Sequence, residues 1–468
     1  MDTLPDRVTQ VKNKSAPLIS PVMRELSAYI ATALRKPLPS AVIEKTKHHI
    51  LDTIASMISG SRLLPGKKAI AYVKTLGGAK QASVVGSKLI TSAVNAALAN
   101  GMLAHADETD DSHAPSQTHP GCGIVPAAFA MAERKHCNGT ALLRAVTLGY
   151  DIGCRLTQSL DAHQFREDGH STHSFGPMFG AAAAAGALAG LRERQVRHLL
   201  SFTAQQASGI SCWMRDIDHV EKAFDFGGMP ARNGVAAATM VAHGFTGVDD
   251  VFEGERNFFV AYGRKPDRAI LTRGLGAVYE IMNTNIKRWS VGSPIQAPLD
   301  ALMTLIREYE ITADEVDALV VRVAHQGANT VDNRAMPDIC MQHMCAVMLI
   351  DGKVTFAAAH DQKRMRDRKV LALRERIRLR GDDALSAAMP SRQGIVEITL
   401  RGGRTLSHHT KAVRGSMENP MDRAEVTEKC RDLMAPVLGK LRTRELCDVV
   451  WSLEKVRDIR SLRPLLRA

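Results

Sequence analysis

Residues 180–190 read GAAAAAGALAG, a run of glycine, alanine and a single leucine with no polar side chain. Alanine is the strongest helix former, and the run is too regular in small residues to be a loop. As a helix it carries almost no bulk on any face, so neighbouring backbones can approach it closely. It reads as the central helix of a core. It is not a membrane span: the apolar stretch 179–191 falls short of the roughly 20 residues that cross a bilayer, and Arg192, Glu193 and Arg194 follow at once.

Working outward, the periodicity over 21–259 is mostly helical, as at 41–59, where Val42, Thr46, Ile50, Ile54 and Met57 recur at three- and four-residue steps. Short connectors such as Leu64-Pro65-Gly66 and His119-Pro120-Gly121 separate the helices, and no repeat of solenoid length is present. After Lys265-Pro266 the texture changes. VDALVVRVA (316–324) and IVEITL (395–400) are β-branched runs of strand character, the second followed by Gly402-Gly403 and a polar return strand through Thr405 and Ser407. Helical patterns lie between them at 297–309 and 340–349, and helical texture resumes from 423. The expected fold is therefore mainly α: a large all-helical domain built from both chain ends (1–265 plus 413–468), with a smaller α+β domain inserted at 266–412.

The 468 residues, 45% hydrophobic and 24% charged, are ample for two domains and exclude a disordered chain. Aromatics make up only 4%, so the core is expected to be built from Ala, Leu, Val and Met. The start, MDTLPDRVTQVKNK, lacks the apolar segment of a secretory signal, and a cytoplasmic protein is expected. Eight cysteines without a CxxC pair suggest reduced, mostly buried thiols. The formal charge is +12, and half of that excess lies in 361–380, with nine Lys/Arg against three acids. This stretch has no interleaved aromatics and no nucleic-acid motif, so it reads as solvated surface; a small polyanionic substrate also suits a basic protein.

Chemistry concentrates at 105–119, HADETDDSHAPSQTH, with seven ionisable side chains directly after an apolar helix. Histidines and carboxylates can ligate a metal, but the spacing fits no zinc template such as HExxH, and no metal is expected. His119-Pro120-Gly121 opens one apolar helix, with Pro120 in its first turn, and Gly169-His170-Ser171-Thr172-His173 leads into the small-residue helix. Two helix N-termini flanked by imidazoles suit a carboxylate ligand. Lys222, ahead of Gly227-Gly228, and Lys287, beyond the domain boundary, are candidate cations. No nucleophile elbow, P-loop or dinucleotide fingerprint is found.

Together these pieces resemble the MmgE/PrpD family, which includes 2-methylcitrate dehydratase, cis-aconitate decarboxylase and iminodisuccinate epimerase. The resemblance rests on Leu51-Asp52-Thr53, on 97–121, on 169–185, on Lys222 with Ala231-Arg232-Asn233-Gly234, and on MLIDG at 348–352. It implies that the inserted domain is a lid over a cleft, that the protein is a homodimer, and that it works on a small anionic carboxylate without metal or organic cofactor. The residues it assigns are His119, His170, Lys222 and Lys287, with Glu108 in place of the usual aspartate, the paired acids Asp110 and Asp111, and Ser112 in place of threonine. His343 stands where a lid tyrosine is common, and Gln296 or Gly292 where a histidine is. The implied activity is a lyase of hydro-lyase type on a hydroxylated di- or tricarboxylate, through a carbanion next to a carboxylate. A decarboxylase, an epimerase using His343 as an extra acid/base group, and a non-catalytic ligand-binding protein are the alternatives.

Overall fold

The computed structural model describes residues 19–468; the start read above for a secretory signal lies outside the described residues. The small-residue run lies in the helix Thr172–Leu188, every residue of which is buried. Helices Pro120–Arg134, Gly139–Ser159 and Met229–Ala242 pack around it. Absent side chains are what permit this. A Cβ on Gly180 would stand 2.4 Å from the Gly149 carbonyl oxygen, and one on Gly176 would stand 2.8 Å from that of Gly153. The helix closes at Leu188, before the end of the run, and Gly190 takes a φ of +74° as the chain turns away.

The apolar side chains form two separate cores. The first draws on Met23 through Ile286 and again on Met421 through Leu466, and is filled mainly by Ala, Leu, Val and Ile. Here the returning helix Arg423–Leu438 lies on Ser40–Gly60, with Lys429 Nζ 2.5 Å from the buried Asp52 carboxylate. The second core runs from Trp289 to Leu406. It sits between a four-stranded sheet and the helices Ser293–Tyr309 and Met341–Asp351. The sheet order is β4-β3-β5-β6, with β3 (Val316–Val323) parallel to β4 (Ile377–Gly381) and antiparallel to β5 (Gly394–Leu400), which pairs with β6 (Thr405–Thr410). Strands β3, β5 and β6 lie where the β-branched runs and the return strand were read. Strand β4 was not anticipated, because it lies in the basic stretch and alternates Ile377 and Leu379 with Arg378 and Arg380. A two-residue ribbon, β1 (Ala82–Ser83) with β2 (Ile90–Thr91), is a further addition within the helical part.

The chain passes between the cores twice, and the two passages lie side by side. Ile286 N–H donates to the Gly415 carbonyl at 2.9 Å, and Met417 N–H to Asn285 Oδ1 at 2.8 Å. Gly415 has a φ of +101°, and a Cβ there would stand 2.0 Å from the Ile286 carbonyl oxygen, so no larger residue fits this crossing. Among the described residues, no helix is long and apolar enough to cross a membrane. All eight cysteines are free, and six are buried.

Candidate active site

The loop 105–119 is buried and internally paired rather than solvated. Asp111 is its anchor, accepting from Gly121 N–H (2.9 Å) and Tyr150 Oη (2.5 Å) and meeting His49 Nδ1 at 2.7 Å. That ties the loop to the first turn of the helix Pro120–Arg134 and engages both Asp111 oxygens behind the site. Lys429, from the returning helix, donates to the Thr109 carbonyl at 3.0 Å and supports the loop from the other side.

Asp110 holds two imidazoles, with His105 Nδ1 2.9 Å from one oxygen and His119 Nδ1 3.0 Å from the other. His119 lines a cavity, and among the described residues its remaining nitrogen, Nε2, has no hydrogen-bond partner. Burial lowers the His119 pKa to about 4, outweighing the Asp110 charge, so the imidazole is neutral near pH 7. Burial works against the Asp110 anion, but the two histidines hold its pKa well below the usual carboxylate range.

Glu108 gathers the two lysines. Lys222 Nζ pairs with Glu108 Oε1, while Lys287 Nζ lies 3.4 Å from Oε2, donates to the Glu108 carbonyl at 2.8 Å, and stands 3.8 Å from Asp110 Oδ1. Although burial opposes it, the Glu108 pKa lies well below normal because of the lysine charges. Lys222 sits in the helical turn Val220–Ala223, which runs through a π-helical turn, Phe224–Gly228, into Met229–Ala242. Such turns are frequent at functional sites. This one presents Phe226, whose ring stacks with His173 (3.8 Å between centroids) and His105 (4.2 Å), while Lys222 Nζ lies 5.3 Å from its centre.

The cavity, about 430 Å³, lies between the two cores. Glu108, His119, Arg166, His173, Lys222 and Phe226 come from the helical side, and Ser293, Val323, Arg334 and Arg392 from the other. Of the residues singled out in the sequence, Glu108, Asp110, His119, Lys222 and Lys287 are brought together. His170 is not among the cavity's walls. It stacks on Phe165 (4.4 Å) while its backbone bridges Ile210, and His173, one helical turn further on, reaches the cavity instead. His343 is buried in the second core with neither ring nitrogen bonded among the described residues, its pKa lowered to about 4 mainly by burial. Gln296 ties its helix to the preceding turn, donating to the Trp289 and Val291 carbonyls at 2.8 and 3.0 Å. With Ser112 and Lys287 it lines a smaller cavity of about 80 Å³. His105 and His173 were in quoted motifs without a role, and His219, Arg166 and Arg392 were not singled out in the sequence.

Two sets could bring three ligand atoms together: His105, Asp110 and His119, or His105, Glu108 and His219. In both, the carboxylate is already engaged, by two imidazoles in the first and by two ammonium groups in the second. A divalent ion would have to displace these contacts, so the donor sets are poorly matched to a metal.

The MmgE/PrpD N-terminal domain matches residues 24–270, and the MmgE/PrpD C-terminal domain matches 289–455. The chain belongs to the MmgE/PrpD family. It is 24% identical over 486 aligned positions to a cis-aconitate decarboxylase of Aspergillus terreus, covering 96% of both chains. A cis-aconitate decarboxylase-like protein, oryM, of Aspergillus oryzae is 27% identical over 307 positions, 62% of each chain. Membership of this family and these relatives support an enzyme of decarboxylase or dehydratase type.

Proposed function

We propose that this MmgE/PrpD protein is a metal-independent lyase that decarboxylates an unsaturated polycarboxylate of the cis-aconitate type. The observation carrying the reading is the convergence of Lys222 and Lys287 on one carboxylate beside the Asp110–His119 pair. In such a reaction the bond from a saturated carbon to its carboxylate breaks and CO2 leaves. That bond pair becomes a new C=C, the old C=C pair moves to the carbon beside a remaining carboxylate, and a proton quenches the carbanion. The lysines stabilise charge building on that carboxylate away from bulk water. His119 Nε2 supplies the proton, which it takes up as the polyanion raises its pKa, with Asp110 fixing the ring. The lid is the unit of the second core, Trp289 to Leu406, rather than all of 266–412, since Leu271, Ile281 and Ile286 pack in the first core; the enzyme works as a homodimer in the cytoplasm.

Dehydration of a hydroxylated di- or tricarboxylate is the second reading. It is favoured by His119 and His173, both on the cavity with ring centroids 5.2 Å apart, which supply an acid and a base. Purified protein incubated with cis-aconitate-, citrate- and malate-type acids, followed together by released CO2, double-bond absorbance and optical rotation, separates the readings. The expected trace is CO2 from the unsaturated tricarboxylate. Water loss without CO2 would establish the hydro-lyase, a change in rotation alone an epimerase, and binding without turnover a ligand-binding protein.

A further inference from the structure

Several buried or partly buried guanidinium groups elsewhere in the chain are paired. Arg463 meets Glu133 at 2.9 Å, Arg414 meets Glu425 at 2.5 Å, and Arg155 donates to three backbone carbonyls. Two arginines on the cavity wall differ. Arg166, half-buried, makes one long side-chain contact, 3.4 Å to Gln117 Oε1, and has no carboxylate within ion-pair reach among the described residues. Arg392, also half-buried, has neither an ion pair nor a side-chain hydrogen bond among them. The cavity's own carboxylates do not answer them. Glu108 is held by the lysines, and Asp216 accepts the backbone N–H groups of Lys222 and Asp218.

An unpaired charge withdrawn from water is unfavourable unless a partner arrives, and a guanidinium fork matches a carboxylate in two parallel hydrogen bonds. Burial, with the Arg166 charge adding to it, pushes Arg392 down to about 10, and burial also lowers Arg166. An anion between them removes that strain. We infer that Arg166 and Arg392 form a second carboxylate subsite of this cavity, with one guanidinium supplied from each side, and that the substrate bridges it to the lysine pair. The inference rests on the polycarboxylate reading above and deepens it: the ligand carries carboxylates on separate carbons, and a monocarboxylate fills only one end.

The test is calorimetric binding of tricarballylate against glutarate and methylsuccinate, each of which lacks one of its carboxylates. Wild type is expected to prefer tricarballylate at least tenfold over one of the two. Arg166→Gln and Arg392→Gln should each reduce that preference to within about threefold at unchanged melting temperature, and Arg→Lys should restore part of it. If a Gln variant fails to fold, the Lys variant carries the same comparison, with an intermediate preference expected. Retention of the full preference in the variants overturns the arginine subsite and leaves the polycarboxylate reading standing. Failure of wild type to bind any of the three acids overturns both.

Discussion

His119 and His170 were indistinguishable as helix-start histidines in the sequence, but only His119 lines the cavity, oriented by Asp110. Replacing a proton-transfer group typically lowers turnover by 10²–10⁴-fold. His119→Ala is therefore expected to lose activity in that range, mostly in kcat, while His170→Ala stays within about threefold of wild type in steady-state assays. Asp110→Asn should fall between them, because it removes the orienting anion and leaves the ring in place. Activity should also survive exhaustive chelation; loss under EDTA that one divalent ion restores would put a metal on His105, Asp110 and His119. The cluster was readable because local composition marks it, whereas Lys222, Lys287 and His119 were singled out by the family resemblance. The exchange of His170 for His173 was not, because which of two histidines three residues apart faces the cavity depends on where the helix Thr172–Leu188 begins. Arg166 and Arg392 lie more than 200 positions apart, and only the tertiary fold brings them to the same cavity from its two sides.

The small-residue helix was readable as an element because its composition allows little else, and its fit against Gly139–Ser159 shows how that composition is used. Gly180→Val should destabilise by about 3 kcal/mol or more, since the obstructing atom is the Gly149 backbone oxygen and overpacking of this kind ordinarily runs to 1–3 kcal/mol. Gly402→Ala, with nothing within 4 Å, should move the urea midpoint little. Strands β3 and β5 were visible through their β-branched runs. Strand β4 was masked by its arginines: it pairs only with β3, along the sheet edge, so it buries Ile377 and leaves Arg378 in solvent. Charge count alone assigned that segment to the surface, and charged side chains do belong on an edge strand.

At the scale of the whole molecule, a contact joins the two parts beside the cavity. His360, from the second part, lies 2.9 Å from the Asp107 carboxylate of the polar loop. Burial would lower its pKa, but Asp107 and then Asp338 outweigh it and raise His360 to about 9. Asp107 is held below the usual range despite its own burial, while Asp338 is raised to about 7, chiefly by burial. With the histidine raised, the stabilisation is fully present below about pH 6.5, the ordinary histidine value, and is lost as pH rises through about 9. In melting experiments His360→Ala should lower stability at pH 6 and match wild type near pH 10; an equal deficit at both would remove the ion pair as its cause. If the second unit is the lid proposed above, the paired passages at Ile286 and Gly415 are its hinge. Both strands of the connection run through one narrow place, and Lys287 is the next residue along. A door swings most at its free edge and scarcely at its hinge pin. Rotation about this connection would move Lys287 and Arg392 little, because both line the small cavity beside Ile286 and Gly415. The charge that handles the reacting carboxylate and the charge that checks the substrate's far end would then both be set before the substrate enters, and closing would bring up only the parts of the door that lie farther out.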